Sequence, residues 1–143
     1  MKHTYSVQLR FSDVDQLGHV NNSVYFSLYD LGKTAYMRDV LGERVDYRRT
    51  SMVVANLNAN FFAPVFFTDR LAIETSTVHL GNKSFVLWQR AVCEDSGEVK
   101  CECRTVMVAF DVETQQAIPI PQAWKEAIAR FEGTTVEALS DER

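Results

Sequence analysis

A chain of 143 residues, 46% hydrophobic and 24% charged, has the length and composition of one globular domain with a real core and little room for a second. Its formal charge of −4 argues against a general nucleic-acid binder, which would carry an excess of Lys and Arg. No apolar run is long enough to span a bilayer and the opening MKHTYSVQLRF lacks a signal-peptide core, so no membrane association and a cytoplasmic location are expected.

Residues 4–12 alternate, with Tyr5, Val7, Leu9 and Phe11 on one side and Ser6, Gln8 and Arg10 on the other, the pattern of a strand with one buried face. The stretch 11–42 is the organising one. It opens with a polar loop carrying Asp13 and Asp15, either of which can simply shape a turn. A helix follows, with Val24, Leu28, Leu31 and Ala35 on one face and Tyr25, Tyr29, Tyr36 and Val40 on a neighbouring one. Ser27, Asp30, Thr34 and Arg38 leave only a narrow polar stripe, so the helix is expected to be wrapped on nearly every side. Asn21 or Asn22 is suited to cap its start, and Gly42 to end it in a left-handed conformation.

Residues 43–50 read as a polar loop with Arg48 and Arg49 exposed. The next strand, 51–62, places Val53, Ala55, Leu57, Ala59 and Phe61 on one face and Met52, Val54, Asn56, Asn58, Asn60 and Phe62 on the other. Three alternate asparagines make that second face either a solvated edge or the polar wall of a pocket. Pro64 marks its end. Strands at 69–80, 83–93 and 99–112 follow, separated by the turn signals Gly81-Asn82 and Asp95-Ser96-Gly97. Cys93, Cys101 and Cys103 are expected as free thiols; with only His79 nearby they make a poor zinc site, so neither metal nor other cofactor is expected. Pro121 precedes a short helix at 122–131 that Gly133 closes. Residues 1–133 are read as the single domain and 134–143 as a polar tail prone to fray. Short connections make the sheet antiparallel, and one long apolar helix and one sheet bury each other when the sheet curls round the helix: an α+β architecture.

The run Arg10, Asp13-x-Asp15-x-x-Gly18-His19-Val20-Asn21-Asn22, then Tyr25 and Tyr29, resembles the hotdog-fold acyl-CoA thioesterases, within them the 4-hydroxybenzoyl-CoA thioesterase-like family, and more narrowly its members acting on fatty acyl-CoA. The similarity extends through residues 60–71 and the 81–85 turn to about Val112. It implies a five-stranded antiparallel sheet around a central helix. It also implies a homodimer joined edge to edge with active sites at the interface, or a homotetramer.

By that resemblance Asp15 matches the catalytic carboxylate, as nucleophile or as general base on water; both routes stay open. The backbone N–H of Asn22 matches the oxyanion donor at the helix start, with Gly18 allowing the tight loop before it. His19 and Asn21 fix the loop or position water, and Asp13 serves loop structure. Tyr25, Tyr29, Asn58, Phe61 and Phe62 are candidate acyl-pocket walls. Lys83, with Ser84 beside it, is the candidate contact for the phosphates of CoA. The related enzyme is richer in arginine at that turn, where this chain has Gly81 and Asn82, and this opens an acyl carrier protein as alternative acyl donor. A non-catalytic acyl-thioester-binding module is the alternative from another class. A hydratase ranks lower, because the chain has no N-P-x-H signature.

Overall fold

Period-two alternation in one short and four long segments gives five strands, and the 3.6-residue pattern between the first two gives the one long helix that they bury. The computed structural model describes residues 3–141. Its elements are β1 (His3–Val7), α1 (Val24–Val40), β2 (Thr50–Phe61), β3 (Leu71–Leu80), β4 (Ser84–Cys93), β5 (Val99–Asp111), β6 (Gln116–Ala117), α2 (Gln122–Glu132) and α3 (Val136–Ser140). The antiparallel order β1-β3-β4-β5-β2 leaves β2 on an edge, with the two-residue β6 on β5. Residue pairs Ile73↔Ala91 and Gln89↔Cys103 fix the register of the centre.

One face of this sheet carries the core. Around the first half of α1, Tyr25, Leu28 and Tyr29 pack on Leu71, Ile73, Ala91, Cys101 and Cys103. Around its second half, Tyr36, Met37 and Val40 pack on Leu80, Phe85, Leu87 and Met107, and Trp124 and Ile128 of α2 close that end. Cys93, Cys101 and Cys103 are buried free thiols.

The helix is not wrapped all round. A single sheet covers one side, so Phe26 and Leu31 (49% exposed) join Ser27, Asp30, Thr34 and Arg38 at the surface, whereas Lys33 lies buried. At its start Ser23, not Asn21 or Asn22, takes the N-cap place and makes no side-chain cap bond; Asn21 Oδ1 accepts the Ser23 N–H at 3.0 Å in the turn before it. At its end Gly42 takes φ +55° after the last turn, as expected.

Other differences have local causes. β1 stops at Val7, and Phe11 is 80% exposed, because the Arg10 N–H donates to Asp13 Oδ2 (2.8 Å) and folds 11–13 into a short 3₁₀ turn. In β2 the register against β5 shifts between Val54 and Asn56. The bulge at Ala55 swaps faces. Met52 and Val54 therefore share the inner face with Leu57, Ala59 and Phe61, and the three asparagines lie on the outer face with Val53. The expected tail is also structured: Thr135 Oγ1 accepts the Ala138 N–H (3.1 Å) at the start of α3, whose Val136 and Leu139 pack on the core. At the end of α2, the Glu132 carboxylate accepts from the Tyr36 hydroxyl, the Ser76 hydroxyl and the Thr77 N–H, beside a second bulge in β3.

α1 meets the sheet most closely at Gly32, where an added Cβ would stand 2.4 Å from Ile73 Cγ2 and 2.8 Å from its Cβ. Overpacking of this kind costs about 1–3 kcal/mol, against roughly 1 kcal/mol of helix propensity gained. Gly32→Ala is therefore expected to lower the urea midpoint. A midpoint at or above that of the parent would show that this approach is not a constraint.

Candidate active site

The loop that leads into α1 is built on two carboxylates with different duties. Asp13 is 2% exposed. Besides the Arg10 N–H it accepts from the Arg10 guanidinium at 2.9 Å. That side-chain hydrogen bond holds the Asp13 carboxyl below the usual carboxylate range, against the opposing effect of burial. Its backbone carbonyl takes the Asn21 N–H at 3.2 Å, so Asp13 ties the two ends of the loop together.

Asp15 sits half-buried at the tip. The Asp15 N–H donates to the His19 carbonyl (3.1 Å) and the Gly18 N–H to the Asp15 carbonyl (3.0 Å), a tight reversal that Gly18 permits with φ +89°. The Leu17 N–H donates to Asp15 Oδ1 at 2.9 Å, and the Asn21 side-chain amide approaches Oδ2 at 3.4 Å. A carboxylate has about four acceptor positions, so Asp15 keeps capacity for water or substrate.

The loop is pinned from the other side by the segment after β2. Val20 N–H donates to the Val65 carbonyl (2.7 Å), and the His19 ring stands edge-on to Phe66 at 6.1 Å. Here α1 presents its positive end. Among the described residues, the Asn22 N–H has no protein acceptor, while the next amides donate to Asn21 Oδ1, the Asn21 carbonyl and the Asn22 carbonyl.

A cleft of about 250 Å³ opens beside this amide, lined by His19, Val20, Asn22, Tyr25, Phe61, Phe62, Ala63 and Pro64. Five of the residues singled out from the sequence thus converge: His19, Asn22, Tyr25, Phe61 and Phe62. Tyr25 meets Phe61 edge-on at 5.2 Å, and burial pushes its phenol up to about 12, so it stays neutral. Asp15 and Gly18 are not among the lining residues; Asp15 is joined to the lining through its N–H, which donates to the His19 carbonyl. Tyr29 lies one turn deeper, buried against Cys101 and Cys103, and burial raises its phenol far above the ordinary range.

Three residues are not brought there. Asn58 pairs with Arg104 on the outer face, the solvated one of the two settings open to the three asparagines. Lys83 and Ser84 occupy the β3–β4 turn, next to Leu80 and Phe85 at the opposite end of α1. A helix of 17 residues, about 25 Å long, runs between that end and the loop that carries Asp15. Val20, Ala63 and Pro64 went unnoticed as cleft residues; Pro64 shows in the sequence only as a strand terminator. Among the described residues, no group of three His, Cys, Asp or Glu is placed to hold a metal, and no helix is long and apolar enough to cross a membrane.

The chain belongs to the Thioesterase-like superfamily, whose profile matches residues 9–128. Its fold is the α+β hotdog arrangement. It is 24% identical over 126 residues to the long-chain acyl-CoA thioesterase FadM of Escherichia coli (strain K12), covering 87% of this chain and 96% of that protein. It is 26% identical over 127 residues to a 1,4-dihydroxy-2-naphthoyl-CoA hydrolase of Rippkaea orientalis (strain PCC 8801 / RF-1), covering 83% and 89%. A crystal structure of a thioesterase from Thermus thermophilus complexed with coenzyme A and Zn superposes with a TM-score of 0.80 at 28% identity, covering 92% of this chain and 95% of that one.

The depressed Asp13 pKa fixes a pH dependence. Such a group contributes stability that is present above the unfolded carboxylate pKa of about 4 and is lost as pH falls through its folded value. Asp13→Asn is expected to lose about 1.5–3 kcal/mol at neutral pH, the usual worth of a hydrogen bond to a charged group. The gap to the parent should close on acidification. A gap of constant size in thermal unfolding from neutral pH down to about pH 3 would contradict this.

Proposed function

We propose that this chain is an acyl-CoA thioesterase that hydrolyses its substrate at the cleft beside the start of α1. The observation that carries the reading is the pairing of an Asp15 carboxylate that keeps free acceptor capacity with a helix-start amide, Asn22 N–H, that has no protein acceptor among the described residues. Family membership supports the reaction class, and the relatives' activities supply the acyl-CoA substrate.

In the hydrolytic step water adds to the thioester carbon while its proton passes to Asp15. The carbonyl oxygen becomes an oxyanion that accepts from Asn22 N–H in the field of the helix N-terminus. Collapse breaks the C–S bond, and the proton returns from Asp15 to the departing CoA thiolate. In the covalent variant Asp15 itself attacks, and the mixed anhydride is then hydrolysed. Asp13 takes no part in either route, since Arg10 and the loop occupy its oxygens. Asp15→Asn should lower kcat by roughly 10²–10⁴-fold while leaving acyl-CoA binding in place. Thiol release followed with a colorimetric reagent measures this, and near-parental turnover would exclude Asp15 from the chemistry.

The functional unit on this reading is a homodimer paired through β2. This twelve-residue edge strand exposes Val53, Val54 and Phe61, the kind of edge that is normally covered. Lys83 lies a helix length from Asp15 in its own chain, so a phosphate contact from this turn fits best from a second copy. Three buried free thiols favour the cytoplasm. Sedimentation equilibrium at micromolar concentration should give twice the chain mass; monomers alone in an active sample would rule the dimer out.

A further inference from the structure

Ser23 holds the N-cap place of α1, where a serine hydroxyl ordinarily accepts an N–H of the first turn. Here its backbone is already helical, at φ −67° and ψ −26°, and it makes no such bond. Its hydroxyl donates instead to Asn21 Oδ1 at 2.7 Å, and its N–H donates to the same oxygen at 3.0 Å. A cap bond worth about 1 kcal/mol is forgone, and the hydroxyl is turned back towards the Asp15 loop.

An exposed asparagine can present either end of its amide to a neighbour. At the exposed Asn21 the two Ser23 donors settle the choice. Oδ1 faces Ser23, so Nδ2 faces Asp15 Oδ2 at 3.4 Å. The Asn21 backbone is held as well: its N–H donates to the Asp13 carbonyl (3.2 Å) and its carbonyl accepts the Val24 N–H (2.9 Å). The other oxygen of Asp15 takes the Leu17 N–H at 2.9 Å, from within its own turn. Among the described residues, Asn21 is therefore the only side chain that donates to the Asp15 carboxylate. The same Asn21–Ser23 bonds span Asn22, whose N–H has no protein acceptor among the described residues.

We propose that Asn21 is a positioning residue, latched by the Ser23 hydroxyl, that holds the Asp15 carboxylate in register with the Asn22 N–H. This rests on the acyl-CoA thioesterase reading above. The carboxylate and the oxyanion donor must address one thioester carbon at the same time. Misplacement by about 1 Å in such an arrangement costs on the order of 10²-fold in rate. Asn21 joins the two: one end of its amide steadies Asp15, and the other brackets the Asn22 peptide. A neutral amide does this without setting a cation beside the base, unlike Arg10 on Asp13.

Asn21→Asp separates positioning from mere structure. The new carboxylate still accepts both Ser23 donors, so the turn is kept, but it turns an oxygen instead of an N–H towards Asp15. A purely structural residue tolerates that change. A positioning residue does not: kcat for acyl-CoA hydrolysis should fall by roughly 10- to 100-fold with KM within about twofold of the parent. The acidic limb of kcat/KM should also move to higher pH, because two carboxylates in contact resist joint ionisation. Asn21→Ala should lose a similar factor in kcat and Ser23→Ala a smaller one. The double variant should lose no more than Asn21→Ala alone, since the hydroxyl acts through Asn21. Parental kcat and pH profile in Asn21→Asp, losses that multiply in the double variant, or losses that only follow the melting temperature would each overturn the proposal. A second measurement needs no turnover. In NMR spectra of the parent, the Asn21 side-chain amide signals should shift as Asp15 titrates and cease to do so in Asp15→Asn; signals indifferent to Asp15 would overturn the contact. A parent protein that hydrolyses no acyl-CoA ester would overturn the thioesterase reading, and the amide titration would then decide the Asn21 latch by itself.

Discussion

The close approach of α1 to the sheet at Gly32 sets the geometry of everything else. With no side chain there, the helix backbone lies against Ile73, and Gln89 reaches up from β4 to donate to the Tyr29 carbonyl and to Thr75. A helix seated this low packs on β3, β4 and β5, with Leu57 and Ala59 of β2 half-buried at the margin of the same core. Tyr25 of α1 and Phe61 of β2 line the cleft at its start. Buried polar groups under the helix fix its rotation, and hence which of its side chains face that cleft.

The same seating delivers the helix N-terminus to the loop that carries the two aspartates. Their different roles come from their surroundings rather than from their chemistry. Asp13 is spent on Arg10, its carboxyl held low and its oxygens occupied. Asp15, two residues on and past a turn, is held by a single short backbone hydrogen bond and a long contact to Asn21. One carboxylate keeps the loop closed so that the other can remain available.

Much of this was legible in the residues. The succession of strands along the chain, the helix limits and the Gly133 stop follow from local patterns that tertiary packing left unopposed, while the gathering of His19, Asn22, Tyr25, Phe61 and Phe62 was implied by the family resemblance. The failures come where something outside the pattern overrode a local period. Strict alternation puts Phe11 inside and puts Met52 and Val54 on the face of the asparagines. The Arg10–Asp13 turn reverses the first, and the unpaired residue Ala55 turns Met52 and Val54 to the inner face. Nothing in the pattern of β2 announces a bulge, because its residues are nearly all compatible with either face. Leu31 reads as core because periodicity gives the width of an apolar face but not how far the sheet extends to cover it. The final helix was missed because five residues give too short a window for any period.

Glu132 ties α2 to the middle of the sheet. Its carboxylate serves the Thr77 N–H at the β3 bulge together with the Tyr36 hydroxyl on α1, and α3 packs down immediately afterwards. The polar groups of the central layer are thus completed from a segment 55 residues away along the chain. The hairpins of β3, β4 and β5 can pair without it, yet the Thr77 amide stays unsatisfied and one flank of the core stays open until α2 docks, so docking of α2 and closure of the core are one cooperative event.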